Sequence, residues 1–299
     1  MVRWLPGFVL VSAVWGASFS LIKIAVDAGV APLWVALWRC LFGAVTLLVL
    51  CAVLRTPLPR NPRTWGHAAV VALLLNAVPF ALIAYGETQV SSVFAGVLNA
   101  TTPLTTLLFA MALVADERPT LARVGGLVTG FVGVLVLLGA WRGGGGDVLS
   151  GALACVAATT CYGAGFAYTR RFFSGGAESA AALSATQIGA ATAQLMLVTP
   201  FVAGAPTWPG AGPALALVLL GAGATGFAYV LNLNVIRTAG PTVASTVTYV
   251  TPLWSTAIGV LLLGEDIGWH TLAGAVLVLA GVFLARSRPV RPRRLAHVA

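Results

Sequence analysis

The chain repeats itself. Trp15-Gly16-Ala17 with Phe19 and Lys23 returns as Tyr162-Gly163-Ala164 with Phe166 and Arg170. Thr102-Pro103-Leu104 returns as Thr251-Pro252-Leu253, and Glu117 with Gly126 and Gly133 returns as Glu265 with Gly274 and Gly281. The offset stays at about 147 to 149 residues, so the repeating unit is half of a 299-residue chain. A repeat of this length, kept in order, calls for two copies of one architecture and constrains the fold more than any single motif.

The medium around that architecture follows from how little polar material there is. With 59% hydrophobic and 8% charged residues and a mean hydropathy of +0.95, the chain cannot coat a soluble globule of its own size. Apolar segments lie near 4–26, 31–54, 64–86, 90–114, 121–141, 148–168, 180–203, 212–234, 241–263 and 269–286. Each can cross a hydrocarbon layer of about 30 Å, which takes roughly 20 helical residues. The sequence therefore predicts an all-α integral membrane protein with ten transmembrane helices. Five fall in a first repeat (5–141) and five in a second (148–286), followed by a basic cytoplasmic tail (287–299). The connections are too short for a soluble domain with its own activity.

Five spans per unit is an odd number, so the second unit must enter the membrane from the side opposite to the first. The prediction is two inverted five-helix repeats around a central cavity, an arrangement suited to alternating access. Between them lies Arg142-Gly143-Gly144-Gly145-Gly146-Asp147, a flexible linker.

A net charge of +9 and a pI near 10.3 would suit nucleic acid if read alone. Its distribution argues against that partner. If ten spans alternate from an inside N-terminus, all of the 17 Lys and Arg except Lys23, Arg39 and Arg142 fall on one side. This positive-inside bias places both termini in the cytoplasm of a multi-pass inner-membrane protein, its tail held against anionic lipid. The expected partners are the lipid bilayer and a small-molecule substrate, with the chain a monomer or homodimer. The first 25 residues also read as a signal peptide, but they contain the repeated Trp15-Gly16-Ala17 and so should be retained. Cys40, Cys51, Cys155 and Cys161 sit inside spans without metal-type spacing, and read as buried small apolar groups.

The ordered elements resemble a known family. The WGASF segment opening the first unit, Arg39 in the second span, the segment ETQVSSVFAGVLNATTPL, and Glu117 before a glycine-spaced fifth span are similar to EamA-type members of the drug/metabolite transporter superfamily. The resemblance implies a basket of helices around a central cavity, with the fifth span of each half peripheral. It also implies secondary transport of small metabolites, amino acids or related amphipathic compounds among them, often outward. The second half departs from the first at two places: Gln187 stands where Arg39 would, and Tyr249-Val250-Thr251 replaces Ala100-Thr101-Thr102. The scaffold is shared and the lining is not.

Polar residues inside spans point to the site. An Arg near a helix centre costs about 2.5 to 3.5 kcal/mol on insertion scales, so Arg39 must face protein or water. It either pairs with Asp27 or Glu87, bonds carbonyls at a helix break, or attracts a substrate carboxylate. Lys23 lies near a span end and can snorkel. Glu87 reads as a solvated loop carboxylate, or as a gating or proton-coupling acid. Asn76, Asn99, Asn232 and Asn234 must point into the bundle, since hydrocarbon would leave them unsatisfied. Asn99 precedes Thr102-Pro103, where proline frees a carbonyl; Tyr249 precedes Thr251-Pro252 in the other half, and Pro79 interrupts span 3. Matched breaks in the two halves are the strongest sequence pointer to a binding site.

The aromatics divide between anchors and lining. Trp4, Trp34, Trp65, Trp208 and Trp269 lie at span ends as interfacial anchors. Trp15, Phe19, Phe80, Tyr162, Phe166, Tyr229 and Trp254 lie in spans expected to line the cavity. The proposed substrate-binding set is therefore Trp15, Phe19, Arg39, Asn76, Phe80, Asn99, Thr102, Pro103, Tyr162, Phe166, Tyr229, Tyr249, Thr251 and Pro252. Gly126, Gly130, Gly133, Gly274 and Gly281 put small residues on one face of spans 5 and 10, for packing within the chain or a homodimer seam.

An enzyme is the competing class. His67, His270 and His297 lie near span ends or in the tail, no intramembrane Ser/His pair is present, and no phosphate-cradling loop occurs. Nothing in the sequence asks for a cofactor or a metal. A channel or a purely structural membrane protein is the third class, which the repeat disfavours.

Overall fold

The computed structural model describes residues 4–113, 120–137, 146–172, 179–239 and 247–285. Among them there is no strand. The first half contains α1 (Leu5–Asp27) and α2 (Pro32–Val53), then α3 (Pro62–Ala72), which runs through a π-helical segment, Leu73–Ala77, into α4 (Val78–Glu87). It continues with α5 (Ser92–Asn99), α6 (Thr102–Leu113) and α7 (Leu121–Leu137). The second half contains α8 (Gly146–Phe172) and α9 (Ala180–Ala203), then α10 (Ala211–Val218), which passes through a second π-helical segment, Leu219–Phe227, into α11 (Ala228–Ala239). It ends with α12 (Val247–Leu263) and α13 (Trp269–Ala285).

Local chemistry sets the starts. Pro32 and Pro62 open α2 and α3, where a missing N–H costs nothing. Asn61, Ser91 and Ser179 cap α3, α5 and α9 through their side chains. The helices are apolar around most of their circumference, and many large side chains point away from the protein, such as Phe201 at 88% exposure and Phe283 at 81%. Water would not tolerate that surface, whereas lipid requires it.

Seven continuous helical stretches are long and apolar enough to cross a membrane: Leu5–Asp27, Pro32–Val53, Pro62–Glu87, Ser92–Phe109, Gly146–Thr169, Ala180–Ala203 and Ala211–Asn232. Three shorter apolar helices, Val124–Leu137, Val250–Leu263 and Trp269–Leu284, stand where spans 5, 9 and 10 are expected. The linker residues 142–145, Glu117, His297 and the tail 287–299 lie outside the described residues.

The two halves interlock by exchange. In the first, α1 packs along α12 of the second half; in the second, α8 packs along α6 of the first. The repeated glycine explains both crossings. A Cβ on Gly16 would stand 2.9 Å from the Thr251 carbonyl, and one on Gly163 would stand 2.6 Å from the Thr105 carbonyl carbon. The α7–α13 pair forms the periphery on the same principle, since a Cβ on Gly281 would meet Gly130 N at 2.5 Å and Gly126 O at 2.6 Å. The glycine faces of spans 5 and 10 thus pack on each other within the chain.

Three expectations need correction. Trp34 is no interfacial anchor: it is buried, stacks on Trp38, and donates Nε1–H to the Gly204 carbonyl at 3.2 Å. The proline breaks are not matched. Thr102-Pro103 starts a new helix after α5 ends at Asn99, whereas Pro252 lies inside a continuous α12. The matched irregularities are the two π-helical segments, which offset by about 148 residues overlay one another. Finally, Glu87 is not solvated. It is fully buried at the end of α4.

Candidate functional site

The two π-helical segments each put one residue, Leu75 and Ala224, into the wall of a cavity of about 160 Å³. An extra residue in a helical turn misaligns backbone bonds and re-aims side chains, which is why such segments gather at functional sites. The first segment carries Asn76 and Leu75; the second carries Ala224 and Thr225. Helices α1, α2, α4, α5, α6, α8, α11 and α12 complete the walls.

Ten predicted residues line this cavity: Trp15 and Phe19 from α1, Arg39 from α2, Phe80 from α4, Asn99 from α5, Thr102 from α6, Tyr162 and Phe166 from α8, Tyr229 from α11 and Thr251 from α12. Asn76 stands one layer behind, donating Nδ2–H to Tyr229 Oη at 3.5 Å. Pro103 and Pro252 shape the backbone without lining the cavity, and the Tyr249 side chain lies outside the described residues. Sequence reasoning missed Ser18, Leu75, Ile83 and Ala224; Thr248, whose hydroxyl it noted beside Tyr249, lines the cavity although outside the proposed set. Ser18 was within reach, one residue before Phe19 on the repeated element. Ala224 was not, since it enters through its backbone: Trp15 Nε1–H donates to its carbonyl at 3.1 Å.

Arg39 is the one charged residue among those lining the cavity. Its Nε–H donates to Thr225 Oγ1 at 3.1 Å, and its guanidinium carbon lies 3.8 Å from the centre of the Phe80 ring. Both contacts hold the group by its edge and face. Neither neutralises it. Among the described residues no carboxylate approaches Arg39 within ion-pair distance; Asp27 pairs instead with Lys23, at 2.9 Å. The structural alternatives for Arg39, an ion pair with Asp27 or with Glu87, are not formed. Its NH2 groups carry donors beyond the Thr225 bond, in a fork that fits a carboxylate.

Around the charge the lining is aromatic on several sides, with polar atoms at intervals. Thr102 Oγ1 donates to the Asn99 carbonyl at 2.7 Å, closing the break between α5 and α6. The Asn99 Oδ1 is buried without a hydrogen-bond partner, so an acceptor waits in the wall. A solute held here would meet a cation, an amide oxygen and ring faces, a combination that suits a zwitterion with an apolar side chain. The volume is about that of an engineered cavity that admits benzene.

At the end of the bundle where α1 and α4 terminate, Glu265 ties the halves together. Gly264, at φ +65°, ends α12 in the left-handed turn that glycine permits. It aims the Glu265 carboxylate at α5, where Oε1 accepts from Ser92 N at 2.8 Å and Oε2 from Val93 N at 2.9 Å. These are orphan donors of a helix N-terminus, and an anion is the partner they favour.

The model of the EamA-like transporter family matches this chain twice, over residues 2–139 and 149–287. Over 290 residues, 93% of this chain and 90% of the other, it is 27% identical to the uncharacterized inner membrane transporter YedA of Escherichia coli (strain K12). It is 30% identical over 132 residues to Protein PagO of Salmonella typhimurium (strain LT2), a match covering 43% of each. A transporter of Buchnera aphidicola subsp. Schlechtendalia chinensis is 34% identical over 102 residues, a third of each chain. The chain thus spans less than half the length of the last two. A solved crystal structure shares the fold at a TM-score of 0.66 and 20% identity, covering 95% of this chain and 97% of that one.

Proposed function

Because this chain belongs to the EamA-like transporter family, we propose that it is a secondary carrier for small zwitterionic or anionic metabolites with an apolar side chain, amino acids foremost. The observation that carries the substrate class is Arg39, a cation without a carboxylate partner among the described residues, in an aromatic-lined cavity between the halves. The ten-span count, with the shorter α7, α12 and α13 as spans 5, 9 and 10, is part of this reading. So are the inverted arrangement and both cytoplasmic termini, which the charge distribution supports. Alternating access is supported by irregular segments at matched positions of the two halves, since broken helices at matched places bind substrate in carriers of this build. Residence in the inner membrane rests on likeness to YedA, and export on the family resemblance.

The test is counterflow. Purified protein in liposomes preloaded with a mixture of unlabelled amino acids should accumulate external labelled ones with saturable kinetics, and Arg39→Gln should lose most of that uptake. Flux that rises linearly with concentration would identify a channel, and no flux of any amino acid would overturn the substrate class.

A further inference from the structure

The carboxyl of Glu87 is a costly group to bury, and the cavity does not use it. Its residue is completely buried, and among the described residues neither Oε1 nor Oε2 has a hydrogen-bond partner. Burying a carboxylate charge without donors costs several kcal/mol. The surroundings offer a cation but do not deliver it. Lys23 of α1 donates Nζ–H to the backbone carbonyl of Glu87 at 3.0 Å, while its charge goes to Asp27 one turn on, at 2.9 Å. The ammonium is therefore anchored on the main chain of the residue whose side chain it leaves unpaired.

The other groups facing Glu87 do not satisfy it. Arg39 of α2 is bonded to Thr225 in the cavity. Glu265, from the turn after α12, is an acid already engaged by the Ser92 and Val93 amides. Cys155 of α8 lies against Gly86 and presents a thiol. Asp27 is an acid too, with its side chain 58% exposed. Water is near along the chain, because Thr88 is exposed.

We propose that the Glu87 carboxyl is a proton-binding site, and that Lys23 takes the proton's place when it leaves. In the arrangement seen here the O–H bond keeps the side chain neutral. On release the proton passes to water at the Asp27 end, and the Lys23 ammonium swings from Asp27 to the Glu87 carboxylate while holding its main-chain bond. Asp27, being exposed, is left to water. Because α4 runs from Glu87 back to Phe80 at the cavity and α1 runs from Lys23 to Phe19, the exchange sits on the two helices that carry cavity walls. In the carrier reading above, on which this last point rests, the proton is the coupling ion.

Infrared difference spectroscopy of the protein in lipid tests the site without any substrate. Wild type should show the C=O stretch of a protonated carboxylic acid at neutral pH, and Glu87→Gln should lose it. Lys23→Met, lacking the replacement cation, should hold the band to higher pH than wild type, and Asp27→Asn, which frees Lys23, should give it up at lower pH. A wild-type spectrum without the band, or a band untouched by Glu87→Gln, overturns the site. Should Glu87→Gln not reach the membrane, Glu87→Asp serves, since it must move the band's position and midpoint; an unmoved band overturns the site equally. In liposomes holding a pH-sensitive dye and given labelled amino acids, Glu87→Gln should keep exchange but lose proton movement. Proton movement that survives in Glu87→Gln overturns the coupling role. Absence of counterflow in wild type overturns the carrier reading, while the infrared band still decides the site.

Discussion

The first half places a cation at the cavity and the second places a neutral amide at the matching position of the repeat. Arg39 of α2 reaches across to Thr225 in the second π-helical segment. Its repeat mate Gln187, on α9, reaches across to Asn76 in the first, donating Nε2–H to Oδ1 at 2.6 Å. Each half thus sends one polar residue from its second span into the irregular turn of the other. The pair of bridges is pseudo-symmetric in position and not in charge. Gln187, uncharged, gives one N–H to Asn76, whose own Nδ2–H donates to Tyr229 Oη. Arg39 keeps donors to spare. The two halves share the frame, and one side chain per half decides which wall carries the charge.

The comparison breaks most visibly if the halves are not inverted. Reporters fused after Pro59 in the first half and after Thr207 in the second sit at matched points of the repeat. They should report opposite sides of the membrane, cytoplasmic and external respectively, in an all-or-none readout of alkaline phosphatase against fluorescent-protein activity. The same side for both would end the inverted reading.

Next in size is the exchange of the two side chains. Arg39→Gln makes the halves alike and removes a charge-assisted bond of about 1.5 to 3 kcal/mol. Counterflow of a zwitterionic amino acid should therefore fall by roughly 10- to 100-fold at normal membrane expression. Adding Gln187→Arg should not restore it, because that position already faces Asn76 rather than free cavity.

Smaller effects sharpen the packing side. Gly281→Ala puts a methyl group against backbone atoms of Gly126 and Gly130 and should cost about 1 to 3 kcal/mol by overpacking, read as a lower Tm in detergent. Gly189→Ala, on α9 with nothing within 4 Å of its added carbon, should leave the Tm in place or raise it slightly. Between these two falls Asn76→Leu, which strands the Gln187 amide. A loss of about 1 kcal/mol is expected, again by thermal shift, with uptake changed less than by Arg39→Gln.

What the sequence made legible was what depends on composition and spacing. All-helical apolar elements, the repeat, and most of the lining follow from which spans carry aromatics and polar atoms. Gly16 and Gly163 were visible as a repeated pair, though not that each marks a crossing into the other half. The π-helical segments were hidden because an inserted residue leaves no mark in a run of Leu, Ala and Gly. Pro79, two residues past the first, was the sole hint, and the second half has Phe227 in its place. Pro103 and Pro252 looked equivalent because sequence shows the imino acid and not whether the preceding turn has stopped. Glu87 was misjudged for a related reason: a carboxylate before Thr-Gln at a span end looks wet, and only the approach of α1 and α8 shuts water out.

The exchanged packing of α1 on α12 and of α8 on α6 has a consequence for how the protein is made. A ribosome delivers α1 long before α12 exists, so the small-residue face around Gly16 must wait in lipid or translocon without its mate until synthesis is nearly complete. The first half alone is then a precursor with an open seam and not a miniature of the whole. Cutting the gene at the linker would yield fragments that assemble only when both are inserted together.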